Sequence, residues 1–163
     1  MLTPLAPFDS WPRQYLDPNL GFVWFIAPRW IVLQAAFEVA TAAHVMHALD
    51  LVDTALAHAR AERTIGDGLW IVHDWRTIRE FPPEARKAFV ARSRRRGRGE
   101  IARAWMCVFV GPVKRATFDT AALIVGLATG ADIRFIADPH QVILHEGLRP
   151  PHAGVPFPGL AAV

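Results

Sequence analysis

The residues of this chain best suited to chemistry stand together at His73-Asp74-Trp75-Arg76-Thr77. An imidazole beside a carboxylate, with a guanidinium close by, could hold and pass a proton. Such work needs a nucleophile within hydrogen-bond reach. None stands in a suitable context, since the only serines are Ser10 and Ser93. The sequence holds no Gly-rich phosphate loop, no paired-cysteine metal spacing and no His-Glu zinc helix. His44, His47 and His58 fall on one predicted helix, but spacings of three and eleven do not make a metal site without further ligands. They read as boundary residues. The expectation is therefore no catalytic residue, no metal and no cofactor. Asp74 then either caps backbone N–H groups or pairs with Arg76 or Arg79, as a strand-end carboxylate, or it belongs to a surface that meets a partner.

A second candidate is electrostatic. The net charge is +3, and Arg carries nearly all the basic charge, with Lys87 and Lys114 as the lysines. Arg92, Arg94, Arg95, Arg96 and Arg98 form a cluster that could attract phosphate or an acidic protein face. The same cluster also reads as a solvated helix end, where cations suit the helix dipole.

The elements that must position these groups follow from periodicity. Residues 69–72 form an apolar run too short for a helix, which suits a strand buried on both faces. The polar switch at His73 and Asp74 marks where that strand should leave the core. Ligands and partners of open α/β sheets are met outside the carboxyl ends of strands. Upstream, Pro4, Pro7, Pro12 and Pro18 predict an extended N-terminal arm over 1–21, anchored by Phe8, Trp11 and Tyr15 and free of regular structure. Residues 22–26 and 30–39 read as two strands joined by Ala27-Pro28-Arg29 in an antiparallel hairpin. Thr41 can cap a helix running to about residue 63, with Val45, Leu49, Val52 and Leu56 as its apolar stripe.

After Asp74, Pro82-Pro83-Glu84 starts a second helix with Ala85, Phe89 and Val90 on its apolar side. It ends in the arginine cluster, and Gly97 and Gly99 stop it. Residues 101–110 predict a strand closed by Gly111-Pro112. Residues 113–128 predict a helix whose inner face holds Val113, Ala116, Thr120, Leu123 and Leu127, with Phe118 and Ile124 beside it. Residues 132–136 alternate as a strand. Asp138-Pro139-His140-Gln141 opens a short helix to about Leu148. A Pro-rich tail occupies 149–163. The expected order, β-β-α-β-α-β-α-β-α, implies a mixed, mostly parallel sheet with an N-terminal hairpin and about four helices.

Composition narrows the class. A chain of 163 residues suits one domain of ordinary size, and 52% hydrophobic residues exclude global disorder. The single cysteine, Cys107, cannot form an internal disulfide, and it lies in an apolar run as a small buried hydrophobe. No secretory signal is visible, and no uncharged run approaches the roughly 18 residues of a membrane span. A soluble, cytoplasmic protein without a transmembrane segment is expected.

The element order over about 22–148 resembles the STAS fold, shared by anti-sigma factor antagonists and the cytoplasmic domains of sulfate transporters, and the wider SpoIIAA-like group. The resemblance rests on that order, on Phe37-Glu38-Val39-Ala40 after the second strand, on Trp70-Ile71-Val72-His73-Asp74 as a strand ending in Asp, and on Thr129-Gly130 before the last strand. It implies a partner-binding module built on the loop and helix after Asp74. In one place the chain departs from the family. Antagonists carry a phosphorylatable Ser, in an Asp-Ser-Ser-Gly-like motif, at the start of the helix after this strand. Here that position falls at about Pro83, which has no hydroxyl, so a kinase-controlled switch would have to use Thr77.

Three functions from different classes follow. The leading expectation is a non-enzymatic, STAS-like module for protein interaction or regulation. Its contact face would comprise Asp74, Trp75, Arg76, Thr77, Arg79, Phe81 and Glu84, since Trp and Arg are enriched at interface centres. A small-ligand domain for nucleotide or lipid headgroup would use the arginine cluster for phosphate. Nucleic-acid binding through Arg92–Arg98 is disfavoured because no aromatics interleave with the arginines. Six tryptophans leave a homodimer open.

Overall fold

The computed structural model describes residues 2–12, 15–26, 28–108, 111–151, 157 and 160. Among these residues it shows an α/β architecture built on one mixed sheet of six strands. The strands are β1 (Tyr15–Asp17), β2 (Gly21–Ile26), β3 (Trp30–Ala35), β4 (Leu69–Trp75), β5 (Ile101–Val108) and β6 (Asp132–Ile136). They lie in sequence order across the sheet. β2 runs antiparallel to both of its neighbours, β1 and β3, and β3 to β6 run parallel. The helices are α1 (Ala42–Ala61), α2 (Pro83–Ser93), α3 (Pro112–Thr129) and α4 (His140–Glu146).

Sequential parallel order determines the layers. Sequential parallel strands joined by crossovers of the usual single hand keep their helices on one face, and α1, α2 and α3 pack side by side there. That face collects Val23, Phe25, Leu33, Leu69, Ile71, Trp75 and Met106 against the helices. The opposite face presents Phe22, Trp24, Val32, Val72, Trp105 and Cys107, covered by Phe8 and Trp11 of the N-terminal segment and by Val142 and Leu148 around α4. Two-residue alternation along β4 therefore sends Leu69, Ile71, His73 and Trp75 to the helical side and Trp70, Val72 and Asp74 to the other.

Several local expectations hold. β2 and β3 pair as a hairpin from Ile26↔Trp30 to Gly21↔Ala35, although Ala27 of the predicted turn lies outside the described residues. Thr41 accepts from the His44 backbone N–H at 3.2 Å, and the His44 side chain returns to the Thr41 N–H, a reciprocal cap that starts α1. Cys107 is fully buried, and burial pushes its thiol well above the ordinary range.

Four expectations are corrected. The prolines do not exclude regular structure from the N-terminal arm: residues 8–10 make a 3-10 turn, and β1 is an edge strand. Pro18 follows that strand, and Pro7 and Pro12 flank the turn, so none removes a ladder donor. Phe8, Trp11 and Tyr15 are buried, and Trp24 Nε1 donates to the Pro12 carbonyl at 2.7 Å. The second strand of the hairpin stops at Ala35 rather than 39, because residues 36–40 turn away to hold the loop after β4. β4 does not leave the core at His73. It runs to Trp75 with His73 and Asp74 buried. Finally, α3 buries Phe118, Ala122, Val125 and Thr129, and turns Leu123 and Leu127 to solvent. Two stripes compete on that helix, and its neighbours selected the other one. Phe109 and Val110, expected at the end of β5, and the Val113 side chain lie outside the described residues. In the Pro-rich tail, buried Phe157 packs against Tyr15 and Phe25, and most of the remaining tail is likewise outside them.

Candidate functional site at the carboxyl end of β4

Asp74, next to last in β4, is 1% exposed and points to the side away from the long helices. Arg76 Nε donates to its Oδ1 at 2.7 Å and Arg76 Nη2 to its Oδ2 at 2.8 Å. Gln34 Nε2 from β3 also donates to Oδ2, at 2.6 Å. A buried carboxylate is tolerable only when paired and hydrogen-bonded in this way. Burial opposes the Arg76 charge, but the Asp74 carboxylate outweighs it and raises the guanidinium above its ordinary range. The network also fastens the N-terminal segment. Gln34 Oε1 accepts from the Leu5 N–H at 2.8 Å, and Arg76 Nη2 donates to the Ala6 carbonyl. Asp74 thus pairs with Arg76, one of the two partners expected, and its oxygens are consumed inside the protein.

Trp75 is only 3% exposed and packs edge-on against Phe89. Neither Asp74 nor Trp75 projects from the surface, which corrects their place in the expected contact face: Asp74 is sealed inside, and Trp75 is reached only as part of the floor of a small cleft. Thr77 donates its hydroxyl to the Ala35 carbonyl at 2.9 Å, so the one hydroxyl available to a phosphorylation switch is already engaged. Pro83 is the first residue of α2, as counted from the sequence.

The loop after β4 is nonetheless held firmly. Arg79 and Glu80 both donate backbone N–H groups to the Glu38 carbonyl, at 2.7 and 3.1 Å, and Ala40 donates to the Glu80 carbonyl at 2.9 Å. This short parallel bridge, Val39↔Glu80, presents Arg79, Phe81 and Glu84 on the rim. Arg79 and Glu84 are exposed, and Phe81 is half-buried. Under them lies a cleft of about 50 Å3 lined by Trp75, Ile78, Arg79, Phe81, Arg86, Val108 and Phe118. Its aromatic walls touch in series: Trp75 to Phe81 at 5.4 Å between ring centroids, and Phe81 to Phe118 at 5.3 Å. Arg79 makes only a loose surface pair with Glu38 at 3.8 Å. The Arg86 side chain has no hydrogen bond or ion pair among the described residues. The cleft therefore offers an apolar floor with two guanidinium groups available at its mouth.

The arginine cluster divides. Arg92 pairs with Asp50 at 3.0 Å and with Asp53, and these bonds raise its guanidinium above the ordinary range. Arg96 points inward, pairs with Asp53 at 2.9 Å and donates to the Leu49 carbonyl at 3.1 Å. Burial lowers the Arg96 guanidinium, with Asp53 opposing and Arg92 adding to the shift. These two residues bind α2 to α1, which corrects their assignment as anion ligands. Arg94 and Arg95 face outward, and Arg98 is exposed with one donor near the Leu127 carbonyl.

His73 stands apart from Asp74, on the opposite face of β4. It is 2% exposed, and burial first, then the charge of Arg96, push its imidazole down to about 3. No acid–base pair forms between the two neighbours in sequence. The other histidines go to separate places: His44 stacks on Phe37, His47 meets Asp17 at 2.8 Å, and His58 lies edge-on to Phe25. Among the described residues no group of His, Cys, Asp and Glu is arranged to hold a metal ion. No described helix is long and apolar enough to cross a membrane.

Sequence reasoning missed Arg86 and Phe118 as parts of the cleft. Arg86 had one available signal: it lies two residues past Glu84 on the first turn of α2. Phe118 had none, since its approach depends on how α3 packs. Comparison with protein-family models, with curated proteins and with solved structures finds no match.

Proposed function

We propose that this chain is a non-enzymatic interaction module of the STAS-like, SpoIIAA-like kind, acting in the cytoplasm, and that it docks a partner protein on the rim cleft after β4. The observation that carries this reading is the cleft itself. An aromatic floor of Trp75, Phe81 and Phe118 is joined to two arginines, of which Arg86 has no internal partner among the described residues. Aromatic and Arg side chains around a small recess are the usual composition of an interface centre. Its volume of about 50 Å3 suits one protein side chain and falls far below the roughly 300 Å3 at which small-molecule pockets begin. The fitting partner presents an apolar side chain next to a carboxylate.

The bond from Thr77 to Ala35 and the proline at 83 favour constitutive docking over a phosphorylation switch. The test is a photo-crosslinking residue at position 79 in cells of the native host, followed by affinity measurement on the captured protein. Arg86→Glu should weaken that affinity by at least about tenfold. Arg94→Glu, on the far end of α2, should leave it unchanged. Equal effects from both substitutions would count against the cleft.

A further inference from the structure

The other end of the sheet carries a different surface. α3 and β6 border an open groove of about 370 Å3 whose apolar walls are Leu123, Leu127, Ile133 and Phe135, with Asp119 and Asp132 at its lips. Leu123 and Leu127 are 62% and 69% exposed, and Ile124 beside them is exposed as well. Large apolar side chains clustered on successive turns at a protein surface mark an interaction site. β6 pairs with β5 on one side, and among the described residues no strand pairs with its other side. An open edge is a template for another strand.

The residues of β6 say which strand fits. Ile133 and Phe135 face the helices, and Asp132 and Arg134 face the other way, where Arg134 pairs with Asp132 of its own chain at 2.7 Å and lies 3.6 Å from Glu146 of α4. Consider two copies of β6 antiparallel about a two-fold axis at Ile133. Asp132 of each chain then stands opposite Arg134 of the other, so the two intrachain pairs join into one set of four charges of alternating sign. An axis perpendicular to the sheet keeps both α3 helices on one face, so Leu123 and Leu127 of each cover the joined edge. Because directly opposed residues must share a face, the register can shift only by whole steps of alternation. The neighbouring registers set Arg134 against Arg134 or Asp132 against Asp132, and like charges directly opposed are unfavourable. Arg115 donates to the Phe135 carbonyl at 3.1 Å, which confines the ladder to the residues before it.

We propose that the chain forms a two-fold homodimer by β6–β6 pairing in this register, with α3 packing on its twin. The inference uses other residues than the rim cleft and stands whether or not that cleft binds a protein. The test is sedimentation equilibrium of the full chain over a wide concentration range. The wild type should dimerise, and Leu127→Glu should give a monomer whose melting curve matches that of the wild type diluted below its dimer dissociation constant. Asp132→Arg alone and Arg134→Asp alone should each raise the dimer dissociation constant by at least about fivefold. The combined charge swap should restore it, because the swapped residues face each other across the axis. A wild type that stays monomeric up to millimolar concentration, a swap that fails to restore dimerisation, or capture of a foreign strand by a monomeric β6 would overturn the proposal.

Discussion

Lowering the pH should destabilise this protein through His73, and the size of the effect follows from its surroundings. The imidazole is enclosed by Trp75, Phe89 and Met106, with the Arg96 guanidinium as a nearby charge. Burial and that like charge hold it at about 3, against an ordinary value near 6.5. The unfolded chain therefore takes up a proton below about pH 6.5 that the folded chain refuses until about pH 3. The stability due to neutral His73 is complete above 6.5 and is lost as pH falls, at roughly 1.4 kcal/mol per pH unit. Between pH 7 and pH 5 this amounts to about 2 kcal/mol. His73→Leu removes the titration while keeping an apolar side chain of similar bulk. Urea denaturation of both proteins at pH 7 and pH 5 measures the difference. The wild type should lose about 2 kcal/mol more than the variant over that interval. Losses within about 0.5 kcal/mol of one another would refute the buried neutral imidazole.

Three further outcomes follow from the geometry. Arg76→Ala leaves the buried Asp74 carboxylate without its cation, with only Gln34 and the long backbone N–H bond of residue 76 as donors, and should cost about 3–5 kcal/mol, read as a shift in denaturation midpoint. Arg94→Ala, whose side chain faces solvent, should stay within about 0.5 kcal/mol in the same assay. Gly68→Ala should destabilise by at least about 1–3 kcal/mol, since φ there is +122° and a Cβ would stand 2.6 Å from the Gly99 carbonyl oxygen. A melting curve for that variant matching the wild type would contradict the tight approach of the two loops.

The fold was legible where pattern and position agree. Residues 69–72 sit mid-sheet between β3 and β5 because an apolar run of that length has few other homes. Thr41 and Pro83 mark the starts of α1 and α2 through local chemistry alone. What stayed illegible depends on partners distant in sequence. His73 and Asp74 look like a strand exit until Gln34, Arg76 and the backbone of Leu5 and Ala6 are brought around Asp74. α3 carries apolar residues on more than one side, so periodicity could not say whether Phe118 or Leu123 turns inward. Two members of the arginine cluster look free in sequence and are neutralised by Asp50 and Asp53 from α1, some forty residues upstream. The same distance effect hid the cleft, whose walls come from β4, α2, β5 and α3.

Photo-crosslinking from position 79 tests most directly whether this protein works by docking a partner on the rim after β4. A single saturable protein adduct, lost on Arg86→Glu and kept on Arg94→Glu, is the expected result. Adducts that form equally from position 79 and from a site on the exposed side of α1, or that ignore Arg86, would contradict it.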